Sequence, residues 1–175
     1  MSHRIDRRSV LWLGLGGALA GCGFQPVYTA PGGGRSPSDE LAAIDVKNIG
    51  ERPGQILRQA QLSRFRTEPG RPRAFDLMVT FWVTGEAQGI LDFTQATRIR
   101  LVGNANWVLR GHDPKQTQLT AGNERVIDGF DIFDTQYFAS DLDNEAVQAR
   151  IANAVADRIA LRLAIWFHQH PTAIG

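Results

Sequence analysis

The only thiol of the chain stands at the end of a stretch that is typical of an export signal. Arg4, Arg7 and Arg8 give the amino terminus positive charge, and residues 10–20 (VLWLGLGGALA) are uncharged and mostly apolar. This run of 11 residues suits the hydrophobic region of a secretory signal peptide and is too short to span a bilayer, which needs about 20 residues. Gly21 and then Cys22 follow this run. Because the chain has one cysteine, it can form neither an internal disulfide nor a multi-cysteine metal site.

The residues before this thiol resemble a bacterial lipobox. Leu19, Ala20, Gly21 and Cys22 stand in the order that lipoprotein signal peptides use, with small side chains ahead of the cysteine. The resemblance implies that residues 1–21 are removed and that the Cys22 sulfur is acylated. More than one acyl chain then holds the protein stably, since each buried CH₂ contributes about 0.8 kcal/mol. The Arg7-Arg8 pair also resembles a twin-arginine signal, so the export route stays open.

A second group of chemistry-bearing side chains lies on one face of a predicted strand. Between positions 98 and 110, apolar residues take the odd positions. The even positions are polar at Arg98, Arg100, Asn104, Asn106 and Arg110. Lys115 follows in the adjoining turn. Because arginine binds phosphate bidentately, we expect Arg98, Arg100, Arg110 and Lys115 to contact a phosphate-bearing ligand or a protein wall. The alternative interpretation is an ordinary solvated sheet face.

Other residues that could do chemistry have simpler explanations. His168 and His170 suit a helix carboxyl terminus better than a metal site. A group of aspartates does not match the spacing of a calcium loop, and turns and helix capping account for its members, which are Asp128, Asp131, Asp134, Asp141 and Asp143. No nucleophile motif is present. We therefore expect no catalytic residue, no metal and no cofactor beyond the covalent lipid on Cys22.

Charge gives little support to a nucleic-acid partner. The first 21 residues hold three Arg and one Asp, so the remaining chain has 16 basic and 17 acidic residues. A protein that depends on bulk charge to bind nucleic acid would be clearly basic. Any anionic ligand must therefore meet a local patch.

The elements that position these residues follow from periodicity. Residues 22–40 are rich in Gly, Pro and Ser and predict a flexible tether. A short strand from about Leu41, a helix from Pro53 to Glu68, three strands and a long amphipathic helix follow. The last of the three strands, Gln118 to Ile127, has the weaker pattern, and Gly122 predicts a bulge in it. This order, β-α-β-β-β-α, predicts one α+β domain over 41–170. We expect a two-layer sandwich, with two helices on one face of a four-stranded, mostly antiparallel sheet.

The start of the mature chain and the element order resemble the LptE (RlpB) family of lipopolysaccharide-assembly lipoproteins. Residues 22–28 (CGFQPVY) are similar to the family's opening stretch, and residues 54–58 (GQILR) are similar to the start of its first helix. The resemblance implies a non-enzymatic protein that plugs and helps assemble the LptD β-barrel and binds lipopolysaccharide.

The resemblance also implies a location. Gly23 stands where aspartate would favour the inner membrane, which places the lipid anchor on the periplasmic side of the outer membrane. The alternative is another outer-membrane lipoprotein that serves as an auxiliary subunit of a periplasmic transport complex.

Overall fold

A computed structural model describes residues 27–28, 35–67, 69–91, 95–131 and 137–171. Its elements run in the order α1 (Pro37–Ala42), β1 (Ile44–Val46), α2 (Glu51–Arg64), β2 (Phe75–Leu91), β3 (Gln95–Gly111), β4 (Gln118–Asp131) and α3 (Tyr137–Gln169). Cys22 and the signal region lie outside the described residues, so the structure does not test the acylation site.

The four strands form one sheet in the order β1-β2-β3-β4. β2, β3 and β4 are successive antiparallel neighbours, and β1 runs parallel to the first residues of β2. The antiparallel pairs follow from short connections, whereas a parallel pair needs a longer crossover, which α2 provides. The predicted α+β sandwich with a mostly antiparallel sheet is confirmed.

The core lies between the sheet and the two long helices. The odd positions of β3 point inward, and Leu101, Ala105, Trp107 and Leu109 are buried. The predicted stripe of α3 meets them, with Val147, Ile151, Val155, Ile159 and Leu163 all fully buried. α2 and α3 both contact this face of the sheet, which leaves the opposite face, here called the outer face, without a covering layer among the described residues.

Three predicted boundaries differ from the structure. A third helix, α1, lies where the tether was expected to reach residue 40, and its first turn is capped by the Ser36 hydroxyl, which accepts from the Asp39 N–H at 3.2 Å. β1 accordingly starts at Ile44 rather than Leu41. α2 ends at Arg64, before the proline-rich segment, rather than at Glu68.

The irregularity in β4 also lies at a different position from the one that its glycine suggests. Gly122 pairs regularly with Trp107, and the register shifts where Leu109 pairs with Thr120 and Arg110 with Gln118. Gly122 is required for packing instead, since a Cβ there would lie 2.5 Å from the Trp107 ring. The outer face therefore keeps a constant alternation along β4 from Thr120 to Asp131.

Candidate functional site

The outer face of the sheet carries the predicted arginine row, and the strand register divides that row into two ends. Arg98 and Arg100 lie near the β2–β3 turn, whereas Arg110 and Lys115 lie at the β3–β4 turn. Ten residues of strand separate Arg100 from Arg110, which is about 33 Å. The structure therefore keeps the three arginines on one face of the sheet, with Lys115 in the turn beyond Arg110, but does not bring the four residues together into one site.

At the first end, both arginines are ion-paired within the sheet. Arg98 Nη1 lies 3.2 Å from Asp131 Oδ1 on β4. Arg100 Nε donates to Glu86 Oε2 on β2 at 3.0 Å. Both pairs are at the surface, where an ion pair contributes at most about 1 kcal/mol. The guanidinium groups are thus neutralised but weakly held, and an incoming phosphate would compete with the carboxylates.

The second end contains a partly buried cluster of charges next to Arg110. Asp76, which pairs with Arg110 across β2 and β3, is 5% exposed. Its Oδ1 lies 2.9 Å from Lys47 Nζ and 2.9 Å from His112 Nδ1. Lys47 also contacts Asp45 Oδ2 at 2.7 Å. One charged cluster is thus formed by four residues, Asp45, Lys47, Asp76 and His112.

Electrostatics at this end favour the ionised states of Asp76 and Lys47. Burial acts to raise the pKa of Asp76, but hydrogen bonds from Lys47 and His112 outweigh it and hold the pKa below its usual value. Hydrogen bonds to Asp45 and then Asp76 raise the pKa of Lys47. Arg110 Nε is buried beside this cluster without a hydrogen-bond partner in the described part of the chain. Lys115 is exposed in the turn.

The aspartates considered as calcium ligands form ion pairs or are exposed at the surface, where they are described. Asp128 accepts from Arg150 Nε on α3 at 2.7 Å and from its neighbour's N–H, and the Arg150 bond is the main reason its pKa is lowered. Asp131 pairs with Arg98. Two others, Asp141 and Asp143, are exposed within α3, and Asp134 lies outside the described residues. His170 stacks on Trp166 with ring centroids 4.7 Å apart. In the ranges that the structure describes, no group of His, Cys, Asp or Glu could hold a metal.

One cavity among the described residues was considered as a reaction centre. This cavity, beside Tyr28, has a volume of about 360 Å³ and lies between α1, the end of α2 and α3. Its charged lining comprises Arg66 and an ion pair in which Arg64 Nη2 donates to Asp157 Oδ2 at 3.0 Å. Ser38 and Tyr28 supply hydroxyl groups, and no histidine is among its lining residues. Also, no helix within the described ranges is long and apolar enough to cross a membrane.

Sequence reasoning placed Asn104 and Asn106 on the outer face but missed the residues of β2 and β4 beside them. Arg125 and Asn123 on β4 lie opposite Asn104 and Asn106 on β3, and Trp82 on β2 lies opposite Asn104. Trp82 is 39% exposed. The alternation of β4 is too weak in the sequence to predict that Arg125 lies on this face. For Trp82 a signal was available, namely the alternation of Met78, Thr80, Trp82 and Thr84 in β2.

Fold and surface together define a class of protein: a two-layer α+β domain whose sheet has one open face, polar over most of its length. No protein-family model matches the chain, and no curated protein matches it significantly. Solved structures do match. A lipoprotein structure from Caulobacter crescentus is 24% identical, with a TM-score of 0.61 over 74% of this chain and 94% of that one.

A second match supplies a more specific likeness. Rare lipoprotein B from Shewanella oneidensis superposes with a TM-score of 0.53 at 10% identity, over 69% of this chain and 91% of that one. Lipoprotein B from Nitrosomonas europaea gives 0.50 at 14% identity, over 73% and 86%. The chain thus has the fold of rare lipoprotein B (LptE-like), as the sequence resemblance predicted.

Proposed function

We propose that the chain is an outer-membrane lipoprotein of the LptE (RlpB) type, which plugs and helps assemble an LptD-like β-barrel and binds lipopolysaccharide on its way to the cell surface. The observation that carries the proposal is the shared fold with rare lipoprotein B over nearly the whole of that protein. The opening residues 22–28 of the mature chain agree with it.

The surface chemistry supports a plug. Wide β-barrels have a polar lumen, so a domain inside one needs hydrogen-bonding groups on its surface. The central rows of the outer face offer threonine, asparagine and arginine, and its ends offer charged pairs. In this proposal the chain is not an enzyme, and the lipid on Cys22 is its covalent modification.

Co-purification from native membranes tests the partner. The chain, expressed in its own host with a carboxyl-terminal tag, is extracted in mild detergent and its partners are identified by mass spectrometry. We expect a large β-barrel protein in near-constant ratio to the chain. A Cys22→Ala variant, which has no acylation site, is the matched control and should lose the barrel. Recovery of a soluble or inner-membrane transport complex instead would contradict the proposal and support an auxiliary subunit.

The arginines at the first end provide a test of lipopolysaccharide binding. Reversing both charges in Arg98→Glu/Arg100→Glu should weaken binding in a purified assay about tenfold, since two phosphate contacts are lost. Glu86→Gln/Asp131→Asn is the converse variant. It leaves both guanidinium groups without their carboxylates and should strengthen binding by a few-fold. Equal affinity of all three proteins would remove these arginines from the lipopolysaccharide surface.

A further inference from the structure

Six side chains form a contiguous polar surface in the middle of the outer face. One row across β2, β3 and β4 is Thr80, Asn106 and Asn123, and the next is Trp82, Asn104 and Arg125. Neighbours across the strands are about 5 Å apart and the rows are about 7 Å apart. These six residues are called the central platform.

Folding does not explain the central platform. Asparagine is depleted in strands, yet three asparagines occupy adjoining strand-interior positions here. No hydrogen bond of their side chains occurs within the described part of the chain, so they lend the fold nothing in return. The glycines of the inner face differ, because Gly103 and Gly122 make room for Ile151 and Trp107. Local choices that oppose the fold without a compensating contact are typical of functional surfaces.

Arg125 is the exposed arginine of this face whose guanidinium has no ion pair with a described residue. Arg110 also has no such pair, but its Nε is buried. Arg98 and Arg100 are paired with Asp131 and Glu86, whereas the Arg125 guanidinium has no ion pair with any described residue. Only its backbone carbonyl is engaged, by Arg158 Nη1 at 2.6 Å. Arg125 is exposed, so its five donors are available to an anion.

Less polar rows bound the platform on both sides. Towards one end lie Thr84, Val102 and Ile127, with Val102 buried and Ile127 48% exposed. Towards the other lie Met78, Val108 and Ala121, with Met78 44% exposed. The central platform is therefore two rows deep, which is about the footprint of one or two sugar rings, and the Thr84 hydroxyl in the row beyond it donates to the Val102 carbonyl.

We propose that the central platform binds the saccharide part of a phosphorylated glycan. The Trp82 ring offers a flat apolar face for a sugar ring to stack on. Asparagine amides both donate and accept, which suits hydroxyl groups that do the same. Arg125 binds a phosphate oxygen pair bidentately. The inference rests on the proposed function, in which the glycan is the sugar and phosphate portion of lipopolysaccharide, and it places that portion at the centre of the sheet.

Binding of deacylated lipopolysaccharide tests this assignment. That probe keeps the sugars and phosphates and lacks the acyl chains, and it is titrated into the mature chain by calorimetry and by NMR of the asparagine side-chain amides. We expect shifts at Asn104, Asn106 and Asn123. Trp82→Thr and Asn106→Thr/Asn123→Thr should each weaken binding about fivefold to tenfold. Both variants insert residues that favour strands, so the sheet is retained.

Controls separate the platform from its surroundings. Asn48→Thr makes the same chemical change in the exposed loop after β1 and should leave affinity unchanged. Arg125→Gln should weaken binding of the phosphorylated saccharide, and that loss should vanish when the phosphates are removed from the probe. Circular dichroism melting checks that each variant remains folded.

The outcomes that overturn the inference are distinct from failure of the proposed function. If intact lipopolysaccharide binds but the deacylated probe does not, or if folded platform variants bind the probe normally, the saccharide assignment is wrong and the function stands. If the variants lose the β-barrel partner and keep the saccharide, the platform is a protein contact instead. If neither form of lipopolysaccharide binds, the proposed function and the platform assignment fail together.

Discussion

Asp76 shows how a single residue joins three elements at the edge of the sheet. Asp76 lies on β2 and is 5% exposed. Its carboxylate accepts hydrogen bonds from Lys47, just after β1, and from His112, just after β3. A buried carboxylate that accepts charge-assisted hydrogen bonds stabilises the folded state more than a surface pair does. The short parallel strand β1 is thus held by side chains as well as by its few backbone bonds.

Asp76→Asn should lower the free energy of unfolding at pH 7 by about 1–3 kcal/mol, because Lys47 and His112 lose their carboxylate. The pKa of Asp76 is held below its unfolded value, so its contribution is present above that value and is lost as pH falls through the folded pKa. The variant should therefore lose less stability than the parent between pH 5 and pH 2. Urea denaturation across that range measures the difference.

Asp45→Asn is the matched control for that prediction. It removes the more exposed of the two carboxylates that contact Lys47. The Asp45 side chain is 37% exposed. We expect a loss of less than about 1 kcal/mol at pH 7, as for other surface pairs. If the two variants lost equal stability and kept the parent's acid dependence, Asp76 would not be the group that stabilises this end of the sheet.

At the scale of elements, the contact between β3 and α3 depends on the absence of a side chain. A Cβ at Gly103 would lie 2.2 Å from Ile151 Cγ2 and 3.3 Å from the Phe81 ring. Real Cβ atoms do not approach so closely, so the helix would have to move away from the strand. Ile151 is fully buried, which leaves it little room to adjust.

Gly103→Ala should therefore destabilise the domain by about 1–3 kcal/mol, as overpacking of a core does. Gly85→Ala on β2 is the control, since its Cβ would meet Leu101 at an ordinary 3.4 Å, and it should be neutral or slightly stabilising. Thermal and urea unfolding measure both. Ile151→Ala removes the Cγ2 methyl that the new Cβ would meet, so its loss should be less than additive with that of Gly103→Ala, and independent, additive losses would contradict the proposed contact.

At the scale of the whole molecule, the structure shortens the predicted tether. Val27 is packed against the core, and Tyr28 lines the cavity between α1, α2 and α3. Four residues, Gly23 to Pro26, separate Val27 from Cys22. Five residue steps span at most about 18 Å when fully extended, so the proposed acyl anchor at Cys22 would hold this side of the domain close to the membrane surface.

Val27→Asp should release that contact and lengthen the tether. In vesicles that carry the acylated chain and an acceptor dye on the lipid headgroups, energy transfer from a donor at Lys115→Cys should fall in the Val27→Asp protein. Val27→Leu keeps an apolar side chain and should match the parent. Equal transfer in all three proteins would mean that the packing of Val27 does not set the distance of the domain from the membrane.

Local periodicity in the sequence was enough to predict most of the fold. The alternation in β2 and β3 and the stripe from Val147 to Leu163 each report which side of one element is apolar, and burial requires that side to face the core. That reasoning predicted the sandwich, the antiparallel strands and the arginine row on one side of β3. It did not predict α1, because the stretch from Gly32 to Asp39 has the composition of a linker and the Ser36 cap stabilises only a short helix.

Neighbours along the chain are enough to predict acylation of Cys22, which stays a prediction. They are also enough to predict the class of the fold and the residues that share each face of a strand, and the structure agrees with both. Which charges are available depends instead on contacts between strands. Whether Arg98, Arg100 or Arg125 has a carboxylate partner depends on the register between strands, and the partners Asp131 and Glu86 lie 33 and 14 residues away. Register is set jointly by turns, the shift near Leu109 and core packing, so no single segment encodes it.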